Sequence, residues 1–227
     1  TFISTVLSLF LMDIGSREWQ HLIIDGAQQL GIAIDKRISA MFATYAAELI
    51  HWNRKINLTA ITDPRDIAIK HFLDSLAPAQ FIPDRVRLLD IGSGAGFPGI
   101  PLKIFKPSLS VLLIDGTRKK VHFLKHMIRS LGLDQSGARH IRAEDLAHHA
   151  EFAHTFDVII SRALSDLTSF VKAATPLLAK QGVIMAMKGA PDQTELDMLR
   201  AEILGDRFSV EVQNYSLPSV LAHRSIV

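Results

Sequence analysis

Three glycines at alternate positions, in the stretch Asp90-Ile91-Gly92-Ser93-Gly94-Ala95-Gly96-Phe97-Pro98-Gly99, are the residues of this 227-residue chain whose types and spacing most directly imply chemistry. Glycine reaches positive φ without strain and carries no side chain, so the backbone can turn sharply there and meet a ligand at close range. The loop follows the apolar run Leu88-Leu89 and leads into a helix whose first turn tolerates Pro98. A strand, a glycine loop and a helix in that order make a nucleotide-like ligand the expected occupant.

Two residues discriminate between ligands. A dinucleotide fingerprint G-x-G-x-x-G begun at Gly92 requires glycine at position 97, where the chain has Phe97. Asp90 puts a negative charge just before the loop, unwelcome to a pyrophosphate but favourable to the sulfonium and ammonium of S-adenosylmethionine. Asp90, Gly92, Gly94, Gly96 and Phe97 are therefore candidate contacts for that cofactor. At the end of the next apolar run, Ser110-Val111-Leu112-Leu113-Ile114-Asp115, Asp115 can accept both ribose hydroxyls of an adenosine, a position that would serve NAD equally well. Ala143 and Glu144, after a third run, can offer a backbone group and an acid near the adenine edge. Helix capping is the alternative role for Asp115 and Glu144 taken singly.

The helix beginning near Thr117 points to a partner. At 100° per residue Val121, Leu124, Ile128 and Leu131 share one face, while Arg118, Lys119, His122, Lys125, His126 and Arg129 gather on the other. Like charges without interspersed acids are the footprint of a surface that follows phosphates. A solvated helix face is the alternative reading of the same stripe. Arg139, His140, Arg142, Arg162 and Lys188 are candidates to extend it. His122 and His126 have the i, i+4 spacing of a zinc helix, but no glutamate follows the first histidine, and no metal is expected.

The elements that must position these groups follow from periodicity. Residues 1–16 are expected to be an extension outside the fold argument, 17–83 a helical subdomain, and 84–227 the ligand-binding domain. Trp19, Leu22, Ile23, Ala27 and Leu30 recur at helical spacing, as do Ile38, Phe42, Tyr45, Leu49 and Trp52; Asp35 and Asp63 are placed to start helices. From Pro83 onward short apolar runs alternate with helical stretches, the pattern of a mostly parallel sheet covered by helices on both faces. The expected strands are 87–91, 110–114, 138–142, 156–160, 182–188, 208–214 and 223–227. The fold class is thus α/β, a Rossmann-like domain with a seven-stranded sheet and an N-terminal helical extension, which the S-adenosylmethionine reading of its glycine loop would make a methyltransferase domain.

The formal charge of +2 is too small to argue for a nucleic-acid partner on its own. The absence of cysteine excludes disulfides, thiolate metal sites and cysteine nucleophiles. The apolar start has no basic region before it and is too short to span a bilayer, so a cytoplasmic protein without a membrane partner is expected.

The blocks Asn57-Leu58-Thr59-Ala60-Ile61, Lys70-His71-Phe72-Leu73-Asp74-Ser75-Leu76, Asp90 to Pro101, Arg118-Lys119-Lys120-Val121-His122-Phe123-Leu124, Arg142-Ala143-Glu144, Ile160-Ser161-Arg162-Ala163 and Met187-Lys188-Gly189 run through most of the chain. Together they resemble the bacterial glucose-inhibited division protein B methyltransferases. The resemblance implies methyl transfer from S-adenosylmethionine to guanine N7 in 16S rRNA of the small ribosomal subunit, within the 530 loop. It implies cofactor contacts at Gly92 and Phe97, at Asp115, Gly116 and Thr117, at Ala143 and Glu144, and at Arg162. Gly116 stands where many relatives carry serine, so backbone contacts are expected there rather than a hydroxyl.

Guanine N7 has a lone pair and no proton to lose, so its methylation requires alignment rather than a general base. Ser161, Arg162 and Lys188, at the carboxyl edge of the sheet, are the candidates for orienting the substrate. A cation donating to N7 would block the reacting lone pair, so Arg162 is better assigned to cofactor or phosphate. Asn57, Lys70, His71 and Asp74 either cover the target base or tie helices together. An enzyme that docks on so large a partner is expected to be a monomer. A nicotinamide-dependent oxidoreductase and a non-catalytic RNA-binding assembly factor are the competing readings.

Overall fold

The computed structural model describes residues 12–162, 166–190, 192–204, 208–218 and 223–227. Most of the expected N-terminal extension, and Ala163 of the fourth-strand block, lie outside the described residues.

The chain begins with helices. α1 (Arg17–Gln29) starts at Ser16, whose hydroxyl accepts from Trp19 N at 3.1 Å, and closes at Leu30 before Gly31 turns the chain with φ +74°. α2 (Lys36–Ile56) is capped by Asp35, which accepts from Ile38 N at 2.8 Å, and ends at Asn57 in the left-handed region. α3 starts at Asp63 and Pro64 and runs as three continuous segments, α-helical Pro64–Asp66, π-helical Ile67–Leu73 and α-helical Asp74–Leu76. A π segment re-aims the side chains that follow it and is found often at functional sites. Here it carries Lys70 and His71, with Asp74 next to it.

Seven strands then build one sheet in the order β3-β2-β1-β4-β5-β7-β6: β1 (Arg87–Ile91), β2 (Ser110–Asp115), β3 (Ser136–His140), β4 (Phe156–Arg162), β5 (Leu178–Lys188), β6 (Gln213–Ser216) and β7 (His223–Ile226). β1 to β5 pair in parallel, while β7 is antiparallel to both β5 and β6. Strand order reverses between β1 and β4, and ligands of open α/β sheets bind outside the carboxyl ends at such a point. The third strand lies two residues earlier than expected. The sixth is 213–216 rather than 208–214; the apolar positions Phe208, Val210 and Val212 pack on the core from outside the ladder. Alternating burial alone does not distinguish a paired strand from an extended chain lying on a core.

Alternation along the strands divides the interior into two layers. Leu88, Val111, Leu113, Val158, Ile160 and Met185 point to one face, where α1, α2, α3, α4 (Gly99–Phe105) and α5 (Arg118–Ser130) pack. Leu89, Ile114, Ile159 and Ala186 point to the other, under α6 (Ala143–Leu146), α7 (Leu167–Ala174) and α8 (Gln193–Leu199). The N-terminal helices share the first core through Trp19, Phe42, Tyr45 and Phe72, all fully buried. Each such aromatic contributes about 2–3 kcal/mol by burial, and edge or stacked contacts around Phe72 fix their geometry. The N-terminal helices are thereby anchored beneath the glycine loop. No helix among the described residues is long and apolar enough to cross a membrane.

Candidate active site

The glycine loop leaves β1 as the spacing requires, but its three glycines do different work. Gly92 and Gly94 have φ of +68° and +58°, and a Cβ on Gly92 would meet no atom within 4 Å. Gly94 is nearly as open. Gly96, at φ +94°, faces inward, where a Cβ would collide with the Tyr45 hydroxyl and with Ile100. Gly92 and Gly94 thus leave room for a ligand, whereas Gly96 leaves room for a neighbouring side chain.

Acids organise the loop from below. Asp90 is fully buried, and its Oδ2 accepts from Gly99 N at 2.9 Å, at the start of α4. Its other oxygen, Oδ1, is buried with no hydrogen-bond partner. Burial pushes the carboxyl up to about 7, although the Gly99 amide and the Arg162 guanidinium both favour its charge. Asp115 accepts from Gly94 N at 2.9 Å through Oδ2 and from Thr117 N at 2.7 Å through Oδ1. It therefore holds the loop to the end of β2, and each oxygen retains a second lone pair.

A cavity of about 320 Å³ opens over the ends of β1 and β2. Gly92, Asp115, Gly116, Ala143 and Glu144 line it, together with Ile141 and Phe170, which supply apolar walls. Apolar walls with a polar rim suit a flat ring with polar edges. Glu144 is exposed in the first turn of α6, and Thr117 is exposed as the residue preceding α5.

A second cavity, of about 310 Å³, lies over β4 and β5 and is lined by Ile61, Lys70, His71, Asp74, Arg162, Met187, Lys188, Tyr215 and Arg224. Its hub is Asp74, only 3% exposed. Arg162 Nη1 donates to Asp74 Oδ2 at 3.2 Å and to the Lys70 carbonyl at 2.9 Å; Tyr215 donates its hydroxyl to Asp74 Oδ1 at 2.7 Å. Arg224 Nε stands 3.8 Å from the same oxygen, too far for a hydrogen bond. Burial, with the charge of Asp74, raises the Tyr215 hydroxyl well above its ordinary range.

His71 is neutral in this setting, because burial and the adjoining Arg162 cation push it down to about 3. Arg162 Nη2 lies 3.2 Å from His71 Nδ1, and since guanidinium can only donate, Nδ1 accepts and the ring proton sits on Nε2. Nε2 then donates to Thr59 Oγ1 at 2.9 Å. The imidazole stacks on Phe97 with centroids 4.5 Å apart, and Tyr45 stacks on Phe97 at 5.1 Å. Arg162 lies over the same Phe97 ring at 5.1 Å. Phe97, 4% exposed, is thus an aromatic keystone between the loop and the N-terminal helices.

The remaining expected residues are placed as follows. Ser161 is 2% exposed and donates its hydroxyl to the Ile91 carbonyl at 2.7 Å, so it ties β4 to β1 rather than facing open space. Lys188 lines the second cavity while paired with Glu195 of α8. Lys70 pairs with Asp66 one turn earlier, at 2.7 Å. Asn57 is the left-handed residue closing α2. On α5, Arg118, Lys119, His122, Lys125 and Arg129 are exposed, and the buried side is Val121, Phe123, Leu124 and Met127, with the expected Ile128 and Leu131 only partly buried. His126 differs from its neighbours: Nε2 lies 2.8 Å from Glu48 of α2, and the ring packs on Trp52 at 5.0 Å. Arg139 lies over Phe152, and His140 Nε2 lies 3.0 Å from the Gly116 carbonyl.

Several of these roles had no signal in the sequence. Tyr45 reads as one more apolar helix position, and Tyr215 and Arg224 belong to short strands far along the chain. Only folding brings them to Asp74 and to the loop.

Comparison with known proteins adds an independent line. A family model described as rRNA small subunit methyltransferase G matches residues 38–226. A protein of that name from Geobacter metallireducens is 44% identical over 213 residues, covering 93% of this chain and 96% of its own. One from Oceanobacillus iheyensis is 36% identical over 208 residues, covering 90% and 87%. Among solved structures, a SAM dependent methyltransferase from Aquifex aeolicus superposes with TM-score 0.55 at 15% identity, over 75% of this chain and 95% of its own. M. jannaschii TYW2 in complex with AdoMet superposes with TM-score 0.53 at 16% identity, over 68% and 73%. The structural likenesses establish the Rossmann-like methyltransferase fold.

Proposed function

The chain belongs to the rRNA small subunit methyltransferase G family, and from that membership we propose that it transfers the methyl group of S-adenosylmethionine to N7 of a guanine in 16S rRNA. The observation that carries the cofactor assignment is the cavity at the ligand-open Gly92, rimmed by Asp115 and Glu144, with the partnerless Asp90 Oδ1 buried two residues before the loop. Such a buried carboxylate oxygen costs stability unless something compensates it, and a ligand ammonium is a compensating group.

The residues divide the work by chemistry. Asp115 and Glu144 present acceptors to ribose hydroxyls and the adenine edge, while Ile141 and Phe170 take the faces of the ring. Gly92 and Gly94 let the backbone approach without a side chain in the way. S-adenosylmethionine supplies, when bound, an electrophilic methyl on a positively charged sulfur. No side chain has to remove a proton from N7, and the neutral His71 and the Asp74-paired Arg162 are consistent with a site that orients rather than titrates.

The target base is assigned to the second cavity, over β4 and β5. Arg162 and Tyr215 are held by hydrogen bonds to Asp74, so part of the wall is ordered before substrate arrives; orientation in a preformed cavity removes entropy from the reaction. Lys70, Lys188 and Arg224 line that cavity as donors for a guanine O6 or a neighbouring phosphate, and the buried Arg224 Nε–H has no hydrogen-bond partner among the described residues. The exposed cations of α5 extend the contact to the rRNA backbone.

The test is label transfer. Small-subunit RNA incubated with the protein and methyl-labelled cofactor is expected to acquire label, and Gly92→Asp, which fills the open side of the loop with a negative side chain, is expected to abolish it. Retention of transfer by Gly92→Asp would remove the loop from the assignment. Calorimetric titration with NAD, expected to give no heat, separates this reading from the oxidoreductase one.

A further inference from the structure

We infer that Tyr45 of α2 is a positioning residue for cofactor binding, holding the glycine loop in its ligand-competent shape from the side opposite the cofactor; the inference rests on the assignment of that loop to S-adenosylmethionine. The Tyr45 hydroxyl donates to the Ala95 carbonyl, across 50 residues of sequence, in a fully buried position. Its ring stacks on Phe97 at 5.1 Å and meets Phe72 edge-on at 5.4 Å, so its orientation is set by packing on both sides. Gly96 is the complement of this contact: the hydroxyl occupies the space that a Cβ at Gly96 would need. Burial pushes the phenol well above its ordinary range, with Asp90 next in effect, so it remains a donor at any working pH.

The loop has few other anchors on that side. Elsewhere in the loop, Asp115 holds Gly94 N, and Ser93 donates its hydroxyl to the Asp90 carbonyl at 2.8 Å. Internally, Gly96 N and Phe97 N both donate to the Ser93 carbonyl, at 2.7 and 3.1 Å. Ala95, 6% exposed, directs its carbonyl inward, where water cannot replace a missing donor. Removing the hydroxyl leaves a buried acceptor unsatisfied, and the loop relieves this by moving the carbonyl, which displaces the neighbouring Gly94. A binding-competent loop that is only partly populated weakens apparent affinity by that population.

Tyr45→Phe keeps the ring and its stacking and deletes only the donor. Relative to wild type, we expect Kd and KM for S-adenosylmethionine to rise about tenfold, the size associated with one unsatisfied buried acceptor. At saturating cofactor kcat stays within about twofold, and KM for rRNA is unchanged. Trp19→Phe is the control. It removes a comparable donor, Trp19 Nε1 to the Pro64 carbonyl at 2.8 Å, in the same core but away from the loop. Both variants are expected to lose thermal stability, and only Tyr45→Phe is expected to lose cofactor affinity. Equal cofactor affinity in Tyr45→Phe and wild type, or an equal loss in Trp19→Phe, would overturn the inference. Failure of the wild-type protein to bind S-adenosylmethionine would overturn the cofactor assignment and the inference together.

Discussion

Asp90→Asn should make the ligand-free protein more stable in alkali and a poorer binder of its cofactor. The carboxyl is fully buried and raised from 3.8 to about 7, so the folded state binds its proton more tightly than the unfolded chain does. The contribution of a group raised in this way is greatest in acid and is lost as pH rises from about 4 to about 7, after which it is constant. A shift of about three pH units corresponds to about 4 kcal/mol of destabilisation above pH 7. Asparagine is nearly isosteric and can still accept from Gly99 N, but it does not ionise. The stability difference between variant and wild type, measured by urea denaturation at half-unit steps from pH 4.5 to pH 8.5, should therefore grow in favour of the variant by about 1.4 kcal/mol per pH unit and level off above about pH 7. Cofactor binding should move the other way, with Kd raised about 10- to 100-fold if the Asp90 carboxylate meets the ligand ammonium as proposed. Wild type, titrated near pH 6.5, should release protons on binding. A stability difference that does not change with pH, or an unaltered Kd in the variant, would refute the reasoning.

Other predictions follow from the same geometry. His71, lowered to about 3, contributes stability that is complete above about pH 6.5 and lost as pH falls towards 3, opposing Asp90 over much of the acid range; His71→Gln should flatten the acid limb of the denaturation profile, and an unchanged limb would exclude a buried neutral histidine. Asp74→Asn leaves Arg162 without its buried counter-charge and should cost about 3–5 kcal/mol in urea denaturation, far more than Asp66→Asn, which breaks the half-exposed pair with Lys70. Lys119→Glu with Arg129→Glu should weaken rRNA binding and lower its salt slope by about two, leaving the Kd for S-adenosylmethionine unchanged; a filter-binding salt series decides it, and an unaltered slope would remove α5 from the interface.

The fold was legible from the sequence where local chemistry decides it. Asp35 and Asp63 each accept from a backbone N–H at a helix start, and the apolar runs of β1, β2 and β4 fall close to their expected places. Their burial on both faces requires near-continuous apolar sequence. The last third was less legible, because Phe208, Val210 and Val212 are apolar for packing and not for pairing. In the site, the acids at strand ends were readable from chain order, since parallel strands bring their carboxyl ends to one edge. Side-chain partnerships across long separations were not: nothing near Arg162 in sequence announces Asp74, 88 residues away, or Tyr215 on the far side of Asp74. The alternating glycines illustrate the same boundary. Spacing marked three equivalent positions, whereas the fold assigns Gly92 and Gly94 to open space and Gly96 to Tyr45.

The central claim, that this protein methylates guanine N7 in small-subunit RNA, is tested most directly on rRNA from a strain lacking the protein. That RNA is incubated with protein and methyl-labelled S-adenosylmethionine, then cleaved chemically at N7-methylguanine and mapped. The account predicts one new cleavage site in 16S rRNA that depends on protein and cofactor and is lost with Gly92→Asp. Label on another atom or another RNA, or no label at all from a protein that binds the cofactor, would contradict it.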